Sequence, residues 1–325
     1  MKNGTILVTG ASGFVGQSLC FELLKRGECQ DILGIYRSQK LVDTLPRSIR
    51  PIILNSLQDI PQSIALEKVG YVVHLAARVH QMQDTAADPL AAFRTVNTTA
   101  TANLAQAAAL AGVKRFIYLS SIKVNGEYTP IGQPFTAQDS PNTQDPYGIS
   151  KAEAEVQLRH IAQTTGMEVV IIRPPLVYGP GVKANFLSLM RWLDKGYPLP
   201  LGAIHNRRSL LALPNLVDLI TTCLTHPAAA NQTFLVSDNE DLSTTDLLRR
   251  LAKALDKPAR LIPVPMPIIQ STAQIIGKPA LAQRLCGSLQ VDISKTQTLL
   301  GWTPPVSVDQ GLRLTAQHFQ QSRKR

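Results

Sequence analysis

The first sixteen residues constrain the fold of this chain more than any other stretch. Thr5-Ile6-Leu7-Val8-Thr9 is a short, β-branched, apolar strand that runs directly into Gly10-Ala11-Ser12-Gly13-Phe14-Val15-Gly16, followed by a helical pattern over 17–26. A strand apolar at successive positions is buried on both faces, as in parallel sheets. Strand, glycine turn and helix in that order form a seat for a pyrophosphate. Gly10 permits the tight turn, Gly13 lets the backbone approach the phosphates, and Gly16 lets the helix pack on the strand. The free N–H groups at the helix start then face the anion. Ser12, Phe14 and Val15 are the remaining candidate contacts to a dinucleotide in this turn.

The pattern recurs along the chain. Apolar strands are expected at 32–36, 51–54, 71–77, 114–121 and 167–173, with helices at 89–112 and 146–166. Their alternation, with no internal repeat, predicts an α/β fold: a Rossmann-type doubly wound parallel sheet. Beyond Val177 the alternation breaks into a proline-punctuated half, marked by Gly179-Pro180-Gly181 and Pro198-Leu199-Pro200. The expected division is a dinucleotide-binding Rossmann domain over 1–175 and a smaller α/β substrate-binding domain over 176–325. A segment at about 207–240 is expected to return to the first domain, with Phe234-Leu235-Val236 as a strand.

Composition narrows the class. At 325 residues, with 44% hydrophobic and 17% charged side chains, the chain can bury a large core. Cys20, Cys29, Cys223 and Cys286 include no Cys-x-x-Cys pair, which argues against a disulfide framework or a metal site and fits a reducing, cytoplasmic setting. Met1-Lys2-Asn3-Gly4 precedes the first strand directly, so no signal peptide is expected. No apolar run reaches the ~18 residues of a membrane span. The nearest, 261–276, is broken by Pro263, Pro265, Pro267 and Gln270; it reads as a buried or partner-covered segment, or else as a helix dipping into a surface. The net charge is +10, but the cations are dispersed with no aromatic-interleaved stripe, which argues against nucleic acid.

Three further positions carry chemistry. The second strand ends in Tyr36-Arg37, where an NAD site would place a carboxylate for the ribose 2′-hydroxyl. An arginine there suits a 2′-phosphate, so NADP(H) is preferred and NAD(H) is possible. Ser120-Ser121 ends the fifth strand, where ligands of parallel sheets bind. Tyr147 and Lys151 stand one helical turn apart. A phenol titrates near ~10 and a neighbouring cation favours its ionised form, making a usable proton donor and acceptor. Asn97, in an alanine-rich helix, reads on residues alone as a surface or helix–helix amide, and the small Ala76-Ala77 pair would let backbone lie against a cofactor.

Assembled, these residues resemble the extended short-chain dehydrogenase/reductase family, in its branch acting on nucleotide-linked sugars. The resemblance covers nearly the whole chain. It rests on Gly10-x-x-Gly13-x-x-Gly16, His74-Leu75-Ala76-Ala77, Asn97, Leu119-Ser120-Ser121 with Val124 and Gly126, Tyr147-x-x-x-Lys151, Arg173-Pro174, Tyr178-Gly179-Pro180 and Leu299-Leu300-Gly301-Trp302-x-Pro304. It implies that Tyr147 is the acid/base, that Lys151 lowers its pKa and holds the nicotinamide ribose, and that Ser121 bonds the reacting sugar oxygen. It adds Leu75, Ala76, Ala77, Asn97, Pro174 and Leu176 to the cofactor contacts. Arg78, Lys123, Asn125, Asn185 and Arg208 become candidates for the substrate, the last two at its diphosphate.

Three departures bear on substrate: no acid follows the second strand, Asn125 stands in the family's Val-Tyr-Gly, and Lys123 replaces a small residue. The implied activity is NADPH-dependent reduction of a UDP-4-keto-(6-deoxy)-N-acetylhexosamine for surface polysaccharide. The alternatives are a UDP-hexose or UDP-N-acetylhexosamine 4-epimerase with tightly held NAD, and a non-catalytic NADP(H)-binding regulatory or assembly protein. The family's habit of pairing the Asn97 and Tyr147 helices across a two-fold axis implies a homodimer.

Overall fold

In the computed structural model the described residues are 4–27, 31–36, 49–54, 56, 59, 66–79 and 88–323. Six strands alternate with helices through the first half: β1 (Thr5–Thr9), α1 (Phe14–Arg26), β2 (Asp31–Tyr36), β3 (Ile49–Ile53), β4 (Val69–His74), a long helix α2, β5 (Arg115–Leu119), α3 (Pro146–Thr165) and β6 (Glu168–Arg173). Helix α2 is α-helical over Pro89–Phe93 and Ala100–Leu110, with a π-helical turn over Arg94–Thr99 between them. With β9 (Thr233–Leu235) these strands form one seven-stranded sheet in the order β3-β2-β1-β4-β5-β6-β9, every pairing parallel. The doubly wound sheet expected from the alternation is present, and the returning strand pairs with β6. The order reverses between β1 and β4, and a crevice opens at the carboxyl ends of strands at such a reversal.

Strand boundaries moved by a few residues, each for a local reason. The third strand begins at Ile49 and contains Pro51, which is tolerated because β3 is the sheet edge. The fourth stops at His74, after which Leu75 and Ala76 turn back to bond Thr9 through its carbonyl and hydroxyl.

The rest of the chain adds β7 (Leu176–Tyr178), α4 (Ala184–Asp194), β8 (Arg208–Ala212), α5 (Leu213–Thr225), β10 (Asp241–Leu242), α6 (Thr244–Ala254), α7 (Met266–Ile275), α8 (Pro279–Cys286), α9 (Ser294–Leu300) and α10 (Val308–Ser322). Strands β7, β8 and β10 make a small mixed sheet. Its core gathers Phe186, Met190, Leu248, Leu251 and Leu312. Helix α5 instead packs against α1 and the large sheet, tied by Arg26 to Asp218 at 2.7 Å, with Trp302 donating to the same carboxylate. Leu261 and Ile262 run beside Leu199 and Gly202, so the 261–276 segment is neither fully buried nor fully solvated.

Candidate active site

The glycine turn has the shape its sequence requires. Gly10 sits at φ 69°, a left-handed conformation, and a Cβ there would come within 2.9 Å of the Ala76 nitrogen. A Cβ on Gly16 would run into the Gly10 carbonyl oxygen and approach the Ala11 Cα to 2.7 Å, so α1 packs on the turn only as glycine. Gly13 caps α1 without any side-chain hydrogen bond. The first-turn N–H groups of Phe14 and Val15 are thereby left for an external acceptor. Glycine turn, bare helix start and the adjacent Leu75-Ala76-Ala77 backbone fit a dinucleotide.

At the end of β2 the structure adds something the sequence did not reveal. The Tyr36 ring folds back over Gly34, where a Cβ would lie 2.6 Å from Tyr36 Cε2 and 3.2 Å from the Ala11 Cβ. Gly34 is the space that accepts the ring. The Tyr36 hydroxyl is buried beside the glycine turn with no hydrogen-bond partner among the described residues, and burial pushes it up to about 12. Arg37, the other half of the expected cofactor signal, lies outside the described residues.

The proton-handling groups converge at the ends of β5 and α3. Asp145 caps α3 by accepting from the Gly148 N–H, which sets Tyr147 and Lys151 on the helix face toward β5. Glycine at 148 is needed because a Cβ would strike the Thr143 hydroxyl. The Ser121 side chain neighbours the Tyr147 phenol closely enough to pull its pKa down, and Ser121 Oγ accepts from the Lys123 N–H. Ser120 is spoken for elsewhere: its Oγ donates to Glu155 at 2.6 Å. Lys151 is buried, donating to the Leu119 carbonyl at 2.8 Å, with Nζ 4.5 Å from the Tyr118 ring centroid and 5.9 Å from that of Tyr147. The Tyr147 ring meets Phe93 edge-on, and the Arg78 guanidinium lies 5.7 Å over the same Phe93.

The electrostatics differ from the sequence expectation. Burial, and then the Asp145 carboxylate, push Tyr147 up to about 12, against the pull of the Ser121 side chain. Lys151 is pushed down to about 7 by burial, opposed by the charge of Glu155 one turn further along the helix. Desolvation outweighs the attraction between them, so the phenol holds its proton at neutral pH and the ammonium is easily lost. A cation lowering the tyrosine is not a property of these residues alone.

Behind the site lies a buried charge network that sequence reading missed. Arg173 forks onto both Glu155 oxygens, Nε to Oε1 at 2.9 Å and Nη2 to Oε2 at 2.6 Å, and its Nη1 donates to Asn125 at 2.9 Å. Glu155 also accepts from Ser120 and Arg159. The signal was the eight-residue spacing of Tyr147, Lys151 and Glu155 down one helix face, legible only once a partner arginine was placed.

Several of the expected ligand contacts have partners within the chain. Asn125 does not face the cleft: it is buried, its carbonyl on Arg173 and its amide on the Thr136 carbonyl. Asn97, in the π-helical turn, accepts from the Arg78 N–H and donates to the Arg78 carbonyl and Ser150 Oγ; it ties the loop after β4 to α3. Lys123 is neutralised by Glu127 at 3.3 Å and Asp145 at 3.1 Å.

Arg208 donates to the Gly287 carbonyl at 2.9 Å, and no carboxylate pairs with it among the described residues; burial lowers its pKa. An unpaired guanidinium of this kind suits an anion. Asn185 is exposed in the first turn of α4, and Leu176 is half-exposed at the start of β7. Pro174 is buried, its carbonyl accepting from the Ile122 N–H. His74 bridges Thr9 at 2.8 Å and Thr101 at 2.9 Å; burial and the nearby Lys151 push it down to about 3, so it is a neutral brace between β1, β4 and α2.

Comparison with known proteins agrees with this arrangement. A protein 48% identical over 322 residues, covering 99% of this chain and 97% of its own length, is a UDP-glucose 4-epimerase of Vibrio cholerae. An N-acetyl-alpha-D-glucosaminyl-diphospho-ditrans,octacis-undecaprenol 4-epimerase of Escherichia coli O157:H7 is 27% identical over 337 residues, covering 97% of this chain and 95% of its own length. The crystal structure of UDP-glucuronic acid 4-epimerase from Bacillus cereus in complex with NAD has the same fold, with a TM-score of 0.76 at 22% identity over 98% of this chain and 99% of that one. Residues 6–237 match the family model described as the NAD dependent epimerase/dehydratase family, and the chain belongs to that family.

Proposed function

We propose that this chain is a nicotinamide-dependent 4-epimerase of a UDP-linked hexose or N-acetylhexosamine. The observation that carries the reading is the convergence of the Ser121 side chain, the Tyr147 phenol and buried Lys151 at the mouth of the sheet. That grouping suits chemistry at a sugar hydroxyl, whether reduction or epimerisation. The 48% identity to an epimerase over 99% of the chain tips the balance from the expected 4-keto reduction to its alternative.

A bound nicotinamide dinucleotide would supply the hydride acceptor and donor and, when oxidised, a positive charge beside the phenol. Gly10, Gly13, Phe14, Val15 and Gly16 would hold its pyrophosphate, and Ala76 and Ala77 would lie against it. The chain's own groups handle the proton. Tyr147 Oη takes the C4 hydroxyl proton and returns it, while Ser121 Oγ bonds the same sugar oxygen and holds it in register. A phenol pushed up to about 12 resists giving up its proton, so a positive charge brought to the site is what makes it a base. Arg208 pairs with no carboxylate among the described residues and suits the substrate diphosphate. The same reading includes a homodimer through α2 and α3, which expose Leu110 and Val156.

One feature favours a second reading, NADPH-dependent reduction of a 4-keto sugar. Tyr36 ends β2 where an NAD site would place a carboxylate. Incubating purified chain with UDP-glucose or UDP-N-acetylglucosamine separates the two. An epimerase forms the galacto isomer with no added cofactor. Absence of that isomer, together with NADPH consumption on a 4-keto nucleotide sugar, would move the assignment to reduction.

A further inference from the structure

Helices α7 and α8 carry an apolar face that the described residues do not cover. The inner side of the pair packs into the small-sheet core through Met266, Ile269, Leu285 and Cys286. Ile268 and Ile275 on α7, with Ile276 at its C-cap, follow the i, i+7, i+8 spacing of one helix face, yet are 55%, 86% and 59% exposed. Leu281 on α8 is likewise exposed. Only one edge of a broad apolar arc is therefore turned to the core, and the other edge meets solvent. No helix of the described residues is long and apolar enough to cross a membrane.

The charge carried by the hairpin's own stretch of sequence is of one sign. From Lys257 to Val291 the sequence holds no aspartate or glutamate, but it holds Lys257, Arg260, Lys278 and Arg284. The chain entering the hairpin borders a cavity of about 490 Å³ lined by Arg249, Lys253 and Lys257 with Asp256, Pro258 and Ala259. Two of those cations have acidic neighbours: Asp246 lies 3.3 Å from Arg249, and Asp194 lies 3.8 Å from Lys257. Arg260 reaches the Gly196 carbonyl, and the chain around that glycine exposes Trp192 and Tyr197, with Lys195 between them in sequence. Exposed isoleucines on short amphipathic helices, amphipathic aromatics and an excess of cations together are the chemistry of a surface that beds into lipid headgroups.

We propose that the α7–α8 hairpin is a docking surface for an anionic lipid bilayer. The isoleucines enter the headgroup–acyl boundary, and Lys278, Arg284 and the Arg249–Lys257 cluster meet the lipid phosphates. The hairpin is continuous with the Arg208 side of the cleft, since α8 leads into Gly287, whose carbonyl accepts from Arg208. The inference does not depend on which sugar reaction the chain performs.

The test is flotation of the full chain with vesicles of phosphatidylcholine alone and of phosphatidylcholine mixed equally with phosphatidylglycerol. The chain should float with the anionic vesicles and stay behind with the neutral ones. Adding salt should release it, because screening weakens surface attraction. Ile268→Ser with Ile275→Ser should reduce the bound fraction at least about ten-fold. Lys278→Gln with Arg284→Gln should reduce it about ten-fold. All four positions are exposed, so melting should be unchanged; the cation pair is the second route should the isoleucine pair fold poorly. No flotation with anionic vesicles, or flotation unmoved by both variants, overturns the proposal. So does a concentration-dependent dimer, seen by light scattering, that the isoleucine variant abolishes, for then a second copy covers the face.

Discussion

Replacing Lys151 by methionine should make the chain more stable at neutral and acidic pH while destroying its activity. Lys151 is buried, with Nζ held by one carbonyl and facing two aromatic rings, and its pKa falls from the ordinary 10.5 to about 7. Between those values the unfolded chain holds a proton that the folded chain has released. Stability therefore rises with pH across that window, and the contribution is lost as pH falls through about 7. At ~1.4 kcal/mol per pH unit, the interval from about pH 7 to pH 10 amounts to about 4 kcal/mol. Methionine fills similar volume without a charge, at the loss of one hydrogen bond worth about 1 kcal/mol.

Denaturant titrations of wild type and Lys151→Met at intervals from about pH 6 to pH 10 isolate this group, since other titrating residues cancel in the difference. The variant should lead by about 3 kcal/mol at the acidic end, and the lead should vanish or reverse at the alkaline end. A difference that stays constant with pH would refute the claim that burial governs Lys151.

Glu155→Gln should cost about 3 kcal/mol or more in denaturant titrations, because Arg173 is left as a buried charge without its carboxylate. Replacing the pair together, Glu155→Leu with Arg173→Met, should recover much of that loss, and equal stability of all three proteins would contradict the network's role. Gly16→Ala should cost about 2 kcal/mol or more and weaken nicotinamide binding measured by fluorescence, since its Cβ meets the Gly10 carbonyl. Tyr36→Phe removes a buried hydroxyl that has no partner among the described residues, so melting of the cofactor-free chain should hold steady or rise by about 1 kcal/mol in stability. A clear loss there would mean that the hydroxyl is satisfied.

What could be read from sequence was what local pattern encodes. The run from Thr5 to Gly16 gave strand, turn and helix because each glycine there answers a contact within the same unit. The i, i+4 spacing of Tyr147 and Lys151 likewise brought both groups to one place. What stayed hidden depends on distant partners. Asn97 reads on residues alone as a surface or helix–helix amide and does bond Ser150 on the next helix. But an amide does not say which distant groups it meets: its bonds to the Arg78 backbone, and that of Asn125 to Arg173, appear only in the fold. The expectation that Lys151 lowers Tyr147 assumed their mutual attraction dominates, whereas burial of both outweighs it. Gly34 drew no notice until the Tyr36 ring was seen lying over it.

The central claim is that the Tyr147 phenol carries the sugar proton. The direct measurement is the initial rate of interconversion of C4-epimeric UDP-sugars by Tyr147→Phe, set beside its melting temperature and bound nicotinamide. The rate should fall by about 10²–10⁴ with folding and cofactor retained. A folded Tyr147→Phe protein that turns over at the wild-type rate would contradict it.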